Sequence, residues 1–324
     1  MKINLSKILF MFTFMIGLLI SISSNNWILI WCGLEISMMS FIPMMTSNLI
    51  ITSESTIKYF IVQSVSSSLL MLGMLIMIMK GEYNYDYLVK SSLLIKMGVA
   101  PFHNWVLTVI EGMTPQIMFI MLTINKVAPI TIMSYMLSSM ILLICLNALM
   151  ASIMSINQNS VKKLLTYSSI MNMSFVLIII KLNLMWTMYF FLYSTLLLMM
   201  TVLMINFKII YMNQIIMTNN KMSSNILIWM IMLSMGGMPP LVGFSIKYMA
   251  LQAMINTKMY LTLSIMILAS LTMMMVYLRL TFISMMNSSL SLKLVSYNMK
   301  YSSTMMLIMN ISLIPMILLM KLLN

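Results

Sequence analysis

Apolar runs of about 20 residues, each long enough to cross a hydrocarbon core about 30 Å thick as a helix, recur from one end of this 324-residue chain to the other. No other feature restricts the fold so tightly. Hydrophobic residues make up 62% of the chain and charged residues 7%, where ordinary soluble domains carry roughly 25% charged. Mean hydropathy is +1.04. The chain reads as an all-α polytopic membrane protein with about eleven transmembrane helices, forming a single transmembrane domain over 1–324 with no soluble domain.

The predicted crossings are 5–23, 27–46, 54–79, 87–111, 115–136, 138–157, 160–181, 184–212, 224–254, 259–284 and 303–323. The first continues past the length of a signal h-region and lacks a small-residue cleavage site, so it reads as a span. Two crossings are longer than a simple span needs and carry helix breakers: 87–111 with Gly98 and Pro101, and 224–254 with Gly236, Gly237, Pro239, Pro240 and Gly243. Both are expected to be discontinuous helices. The span 115–136 carries Pro129 and is expected to be disturbed there, since an interior proline removes a backbone hydrogen bond and clashes with the preceding turn. Broken backbone at membrane depth persists only where protein or a water-filled cavity surrounds it. The one sizeable polar connection is about 286–302.

Composition excludes several functions. The net charge of +13 is scattered along the chain, without the basic stripe and interleaved aromatics that nucleic acid requires, so no nucleic-acid partner is expected. Cys32 and Cys145 fall within spans and read as buried small hydrophobes. Two cysteines and one histidine cannot ligate an iron–sulfur cluster or a bis-histidine haem. No Gly-rich dinucleotide or phosphate loop is present. Any redox cofactor must therefore sit on a partner. The 49 methionines exceed anything packing calls for; the economical explanation is an AT-rich genome whose code gives methionine extra codons, as in animal mitochondria.

Cations orient the chain. Lys2, Lys7, Lys58, Lys162, Lys163, Lys208, Lys221, Arg279, Lys293 and Lys300 fall on the N-terminal side, and Lys80, Lys90, Lys181, Lys258 and Lys321 on the other. This puts the N-terminus on the positive side and, with an odd number of spans, the C-terminus on the opposite one. Lys96, Lys126 and Lys247 have no loop to occupy, and among the acids Glu35 alone is deep. Each such charge costs roughly 2.5–3.5 kcal/mol at a helix centre on insertion scales. Snorkelling from a helix end is the plain alternative for each lysine. The functional reading is a set of protonatable groups on an ion pathway, with lysines that alternate between charged and neutral forms. His103, just past Pro101, is either a proton shuttle or a histidine hydrogen-bonded at a helix break. Glu54, Glu82, Asp86 and Glu111 read as interfacial or loop residues. The polar face of "QNSVKKLLTYSSIMNMS" is a candidate wall of a hydrated channel.

The stretches "WCGLEISMMSFIP", "KYFIVQSVSSS", "LLIKMGVAPFHNW", "NKVAPI", "NQNSVKKLLTYSSI" and "GGMPPLVGFSIKYM" occur in that order. Together, over roughly residues 5 to 285, they resemble the subunit 2 family of mitochondrial NADH–ubiquinone oxidoreductase, respiratory complex I, in its animal, insect-like form. That family is antiporter-like, and its animal members lack three helices of bacterial relatives. The resemblance implies a proton-translocating membrane-arm subunit of the mitochondrial inner membrane. Its partners would be other membrane-arm and accessory subunits and the lipid bilayer. NAD, FMN, iron–sulfur and ubiquinone chemistry would be carried by partner subunits, and cardiolipin is a candidate bound lipid. It further implies that Glu35, Lys96, Lys126 and Lys247 carry the proton, with Glu35 and Lys96 as an ion pair whose opening alters the lysine's proton affinity. His103 is a candidate relay. Many relatives have proline directly before the last lysine, where this chain has Ile246, so the break is expected nearer Pro239 and Pro240; Thr166 replaces a common alanine. A multisubunit sodium/proton antiporter subunit and a non-conducting structural subunit are the alternatives.

Overall fold

A computed structural model of the chain describes residues 5–47, 49–80, 86–136, 140–217, 222–290 and 310. Among these residues there are fourteen helices and no named strand: α1 (Leu5–Ser23), α2 (Trp27–Met45), α3 (Ile50–Lys80), α4 (Asp86–Met97), α5 (Asn104–Glu111), α6 (Pro115–Leu122), α7 (Ile124–Ser134), α8 (Ile141–Ser155), α9 (Val161–Ile179), α10 (Asn183–Phe207), α11 (Met212–Met217), α12 (Met222–Gly236), α13 (Val242–Asn256) and α14 (Tyr260–Leu290). Among the described residues six stretches are long and apolar enough to cross a membrane, and four further predicted crossings, 87–111, 138–157, 160–181 and 224–254, are split or shortened. The expected span 303–323, Asn310 apart, lies outside the described residues, as do Glu82 and the cations Lys2, Lys221, Lys293, Lys300 and Lys321. Part of the expected polar connection is helical instead, because α14 runs on to Leu290.

The chain forms two compact units, Met1–Leu143 and Ile144–Asn324. In the first, α1 and α2 cross closely enough that a Cβ added to Gly17 would stand 2.7 Å from the Ser37 amide nitrogen. One added to Gly33 would stand 2.6 Å from the Ser21 nitrogen. The two helices thus present matched Gly-x-x-x-Ser faces, the small-residue packing that lets backbones approach in lipid without hydrophobic drive. α3 packs against α2, α4 and α5, and α7 packs against α1, α4 and α6. In the second unit α9 is the core: every residue from Leu164 through Val176 is buried. α13 packs against α9, α10, α12 and α14.

Serine and threonine are tolerated inside these apolar helices because each hydroxyl donates back to its own helix. Ser21 bonds the Leu18 carbonyl at 2.8 Å, Ser66 that of Gln63 at 2.7 Å, and Ser169 that of Thr166 at 2.7 Å. The donor is satisfied locally, so these hydroxyls are not left orphaned in an apolar environment.

The two expected discontinuities are present, and they share one design. α4 ends at Gly98, whose φ of +69° is left-handed; Gly98 N bonds Ile95 O at 3.1 Å and Val99 N bonds Leu94 O at 3.1 Å. α12 ends at Gly237, φ +85°; Gly237 N bonds Ser234 O at 3.0 Å and Met238 N bonds Leu233 O at 3.1 Å. Each is a paired-bond helix stop that requires an αL residue, for which glycine carries no Cβ penalty. A proline follows three residues after each glycine, Pro101 and Pro240. A turn then closes with Phe102 N on Val99 O at 2.8 Å and Leu241 N on Met238 O at 3.0 Å. The second break therefore falls at 237–241, displaced away from Ile246 as expected.

The third disturbance is not at Pro129. The chain breaks at Thr123, φ −117° and ψ −82°, between α6 and α7, and Pro129 lies inside α7. A proline at the sixth position of a helix has a full turn before it, so α7 keeps it with the loss of only one amide bond. The irregular residue is accommodated instead where Thr123 returns its hydroxyl to Phe119 O at 2.7 Å.

Candidate functional site

Four lysines are buried among the described residues, and three of them stand beside a helix break: Lys96 is 8% exposed, Lys126 4% and Lys247 9%. Lys96 is in the last turn of α4. There the unpaired carbonyls of the helix end favour a cation by roughly 0.3–1 kcal/mol. Those carbonyls are also taken by neighbours: Trp105 Nε1 donates to Ile95 O at 3.1 Å, and Gln63 Nε2 approaches Lys96 O at 3.5 Å. Gln63 is on α3 and Trp105 on α5, so the stop at Gly98 is clamped from both sides.

Lys126 sits in the first turn of α7, immediately after the Thr123 break. The helix field here has the opposite sign to that at Lys96. Its neighbour Asn125 donates from Nδ2 to the Tyr59 hydroxyl at 3.2 Å. Tyr59 is 1% exposed, and its ring lies 5.3 Å from Phe41 and 6.1 Å from Trp105 between centroids. Tyr59 thus joins α2, α3, α5 and α7 at one point between the two lysines' helix breaks.

Glu35, on α2, is half-buried. It lies in the electrostatic reach of both Lys96 and Tyr59. No ion pair closes between Glu35 and Lys96: among the described residues the salt bridges are Lys58–Glu54 and Lys90–Asp86. Glu35 lines an open groove of about 650 Å³ together with Trp31, Ser40, Phe60, Ser64 and Ser67. The carboxylate therefore has a route to water or to a partner on one side and the lysine's field on the other.

In the second unit, Lys247 reaches back from α13 to the end of α12, and its Nζ donates to Gly236 O at 2.7 Å. The approach is possible because residue 237 has no side chain: a Cβ there would stand 2.8 Å from Nζ. A second close approach holds the two half-helices together, since a Cβ on Gly243 would meet Ser234 O at 1.6 Å. This amine rests on the negative end of a half-helix.

His103 is buried just before α5 and is held by a hydrogen bond to the backbone of Pro101, as expected of a histidine fixed at a helix break. Glu54 and Lys58 form an exposed pair at 2.5 Å, worth little in solvent. Arg279 Nη2 caps the carbonyl of Ile156 at 2.9 Å.

Two expectations need correction. Lys90, taken as a loop cation, is 2% exposed inside α4 and pairs with Asp86 one turn before it. The helix starts at Asp86, one residue before the expected 87, and its packing against α3 covers the lysine. Cys32 and Cys145 are half-buried free thiols, not fully buried ones, because they sit on the flanks of α2 and α8. Sequence reasoning also passed over Tyr59, Gln63 and Asn125. The available signal was the four-residue spacing of Tyr59 and Gln63, which puts both on one face of α3.

Among the described residues no cluster of three or more His, Cys, Asp or Glu could hold a metal ion. The arrangement suits proton movement: amines kept dry, each beside a break that exposes polar backbone, with a carboxylate at adjustable distance.

Residues 24–275 match the family model described as NADH:quinone oxidoreductase/Mrp antiporter, transmembrane. The chain is similar to NADH-ubiquinone oxidoreductase chain 2 of Anopheles gambiae, 36% identical over 279 residues, with 81% of each chain covered. It is also similar to the chain of that name from Dasypus novemcinctus, 36% identical with 82% of each covered. Among solved structures, a chain of respiratory complex I from Thermus thermophilus superposes with a TM-score of 0.82 at 19% identity, covering 96% of this chain and 78% of that one. A chain of the Mrp complex from Dietzia sp. superposes with a TM-score of 0.70 at 12% identity, covering 84% and 59%.

Proposed function

The chain belongs to the NADH:quinone oxidoreductase/Mrp antiporter transmembrane family, and from that premise we infer that it is a membrane-arm subunit of the NADH:ubiquinone oxidoreductase proton pump. It is a multi-pass protein of the mitochondrial inner membrane and works among other subunits of a respiratory complex. The sodium/proton antiporter alternative is not favoured, since relatives at 34–36% identity are chain 2 of the oxidoreductase.

Within that role, Glu35, Lys96, Lys126 and Lys247 carry the proton. What supports this is the burial of all three lysines at helix breaks, where unpaired backbone and polar side chains make a charged and a neutral amine both tenable. Glu35 acts on Lys96 through space. When the carboxylate approaches, it stabilises the ammonium; when it withdraws into its groove, the charge loses its partner and the proton is free to move. Lys247 gains an alternative anchor in the Gly236 carbonyl. His103, tied to Pro101, is assigned a holding role at the α4–α5 break with relay as a secondary one. NAD, FMN, iron–sulfur clusters and ubiquinone are handled by partner subunits, and electron transfer there drives the charge movement here. The N-terminus faces the matrix and the C-terminus the intermembrane side, and cardiolipin fills part of the lipid contact.

Lys96→Met in the assembled complex tests the central assignment. Protons pumped per NADH oxidised should fall, with assembly retained on native gels. Unchanged stoichiometry and rate would refute the role of Lys96.

A further inference from the structure

Tyr59 and Gln63 stand one turn apart on the buried face of α3, 1% and 4% exposed. The lysine scheme uses neither, yet between them they reach two helix breaks of the first unit. Gln63 Nε2 approaches the Lys96 carbonyl at 3.5 Å, at the last turn of α4. The Tyr59 hydroxyl accepts from Asn125 Nδ2 at 3.2 Å, and Asn125 directly precedes Lys126 in the first turn of α7. A second line runs beside the first. The Tyr59 ring lies 6.1 Å from that of Trp105, tilted by 52°, and Trp105 Nε1 donates to Ile95 O at 3.1 Å. α4 and α7 also pack directly on each other. The turn that carries Lys96 and the turn that carries Lys126 are thus fastened to adjacent turns of one continuous helix, Ile50–Lys80.

Packing alone does not account for these side chains. A phenylalanine at 59 would fill the space beside Phe41 and Trp105 with no polar group to desolvate. A leucine in place of the half-buried Asn125 would do the same on α7. The hydroxyl and the amide serve each other, and replacing both partners of such a pair by apolar groups of similar shape is nearly neutral for stability. What a single polar contact of this kind contributes is a unique arrangement of the elements it joins. Arrangement matters at this point because Thr123, in non-helical geometry (φ −117°, ψ −82°), separates α7 from the rod of α6. Side-chain contacts then set where the first turn of α7 lies.

We propose that Tyr59 is a positioning residue for Lys126, and that Tyr59 and Gln63 together couple the start of α7 to the stop of α4, so that a shift of one lysine's turn is carried to the other. Neither side chain takes the proton; each acts through the backbone turn it holds. The inference rests on the proton-carrying reading of Lys96 and Lys126.

The test uses the intact complex reconstituted in vesicles, with assembly read on native gels and NADH-driven proton pumping read across pH. Tyr59→Phe keeps the ring and removes the hydroxyl. Tyr59→Phe with Asn125→Leu also removes the amide, so no buried donor is left unpaired and the double variant should assemble fully. Its pumping should nonetheless fall by about tenfold, less than the roughly 10²-fold that a 1 Å misplacement can cost, and the pH of half-maximal rate should move. Gln63→Leu should lower pumping as well. Added to Tyr59→Phe, it should cost less than the product of the two separate losses, because both variants break one connection. Unchanged pumping and an unmoved pH profile in the assembled double variant would reduce the pair to packing and overturn the positioning role. Losses that multiply independently would overturn the coupling of the two breaks. Lys126→Met run in parallel separates the two ideas: if it is defective while the tyrosine variants pump normally, only the positioning role is wrong. If it too pumps normally, the wider assignment of Lys126 is wrong as well.

Discussion

Gly236 and Gly237 are chemically identical neighbours at the end of α12, and adding one methyl to each should have opposite consequences. At Gly237 the backbone is left-handed, φ +85°, which costs a non-glycine residue about 1–2 kcal/mol. The new Cβ would also stand 2.8 Å from Lys247 Nζ and 3.0 Å from its Cδ, so the side chain must leave the Gly236 carbonyl. Losing a buried hydrogen bond to a charged group adds about 1.5–3 kcal/mol. Gly237→Ala should therefore cost about 2.5–5 kcal/mol, felt both as poorer assembly and as a displaced lysine. At Gly236 the added Cβ would meet Tyr277 Cβ at 3.4 Å, an ordinary contact, and alanine is the better helix former by about 0.5–1 kcal/mol. Gly236→Ala should be neutral or mildly stabilising. The assay is the yield of assembled complex on native gels across a temperature series, with NADH-driven proton pumping measured on the surviving material. A double variant, Gly237→Ala with Lys247→Met, should recover part of the lost assembly, since the shorter, uncharged side chain relieves the contact. If Gly237→Ala assembles and pumps as well as Gly236→Ala, the lysine is not held where this geometry puts it.

The buried Lys90–Asp86 pair should behave as a unit. Asp86→Asn alone takes the carboxylate from the 2% exposed Lys90 and should destabilise by about 3–5 kcal/mol, Lys90→Met should cost less because Asp86 is 28% exposed, and the double variant should recover most of the loss; additive losses in a thermal-assembly assay would show that the pair is not coupled. At the α1–α2 crossing, Gly33→Val should force the helices apart, because even a Cβ would stand 2.6 Å from the Ser21 nitrogen. The expected loss is about 1–3 kcal/mol or more, read as reduced assembly, and a fully stable Gly33→Val variant would refute the close packing.

What the sequence determined by itself was whatever depends on local composition. Apolar run length set the class and the first helix boundaries: 5–23 is reproduced residue for residue and 27–46 to within one residue, while later spans shift by several residues or divide in two. The Gly and Pro clusters located two of the three breaks, because left-handed φ and a missing amide are properties of single residues. The charges without loops, Lys96, Lys126 and Lys247, stood out for the same reason, since an ionisable group in an apolar run is costly wherever the run packs. Pro129 misled because a proline reports only its own missing bond; packing decided that the irregularity would settle at Thr123.

Tertiary structure alone decided what meets what. Tyr59 and Asn125 lie 66 positions apart, and no periodicity in either segment announces their contact. Lys90 looked like any other cation near a helix start until α3 covered it. The most consequential case is Lys247, which lies eleven residues from the carbonyl that holds it. Its anchor exists only because the α12–α13 turn folds the second half-helix back on the first and Gly237 leaves room for the ammonium. A sequence reports which groups are expensive to bury; the fold determines which partners offset that expense, because those partners are brought together through space by long-range packing and not along the chain.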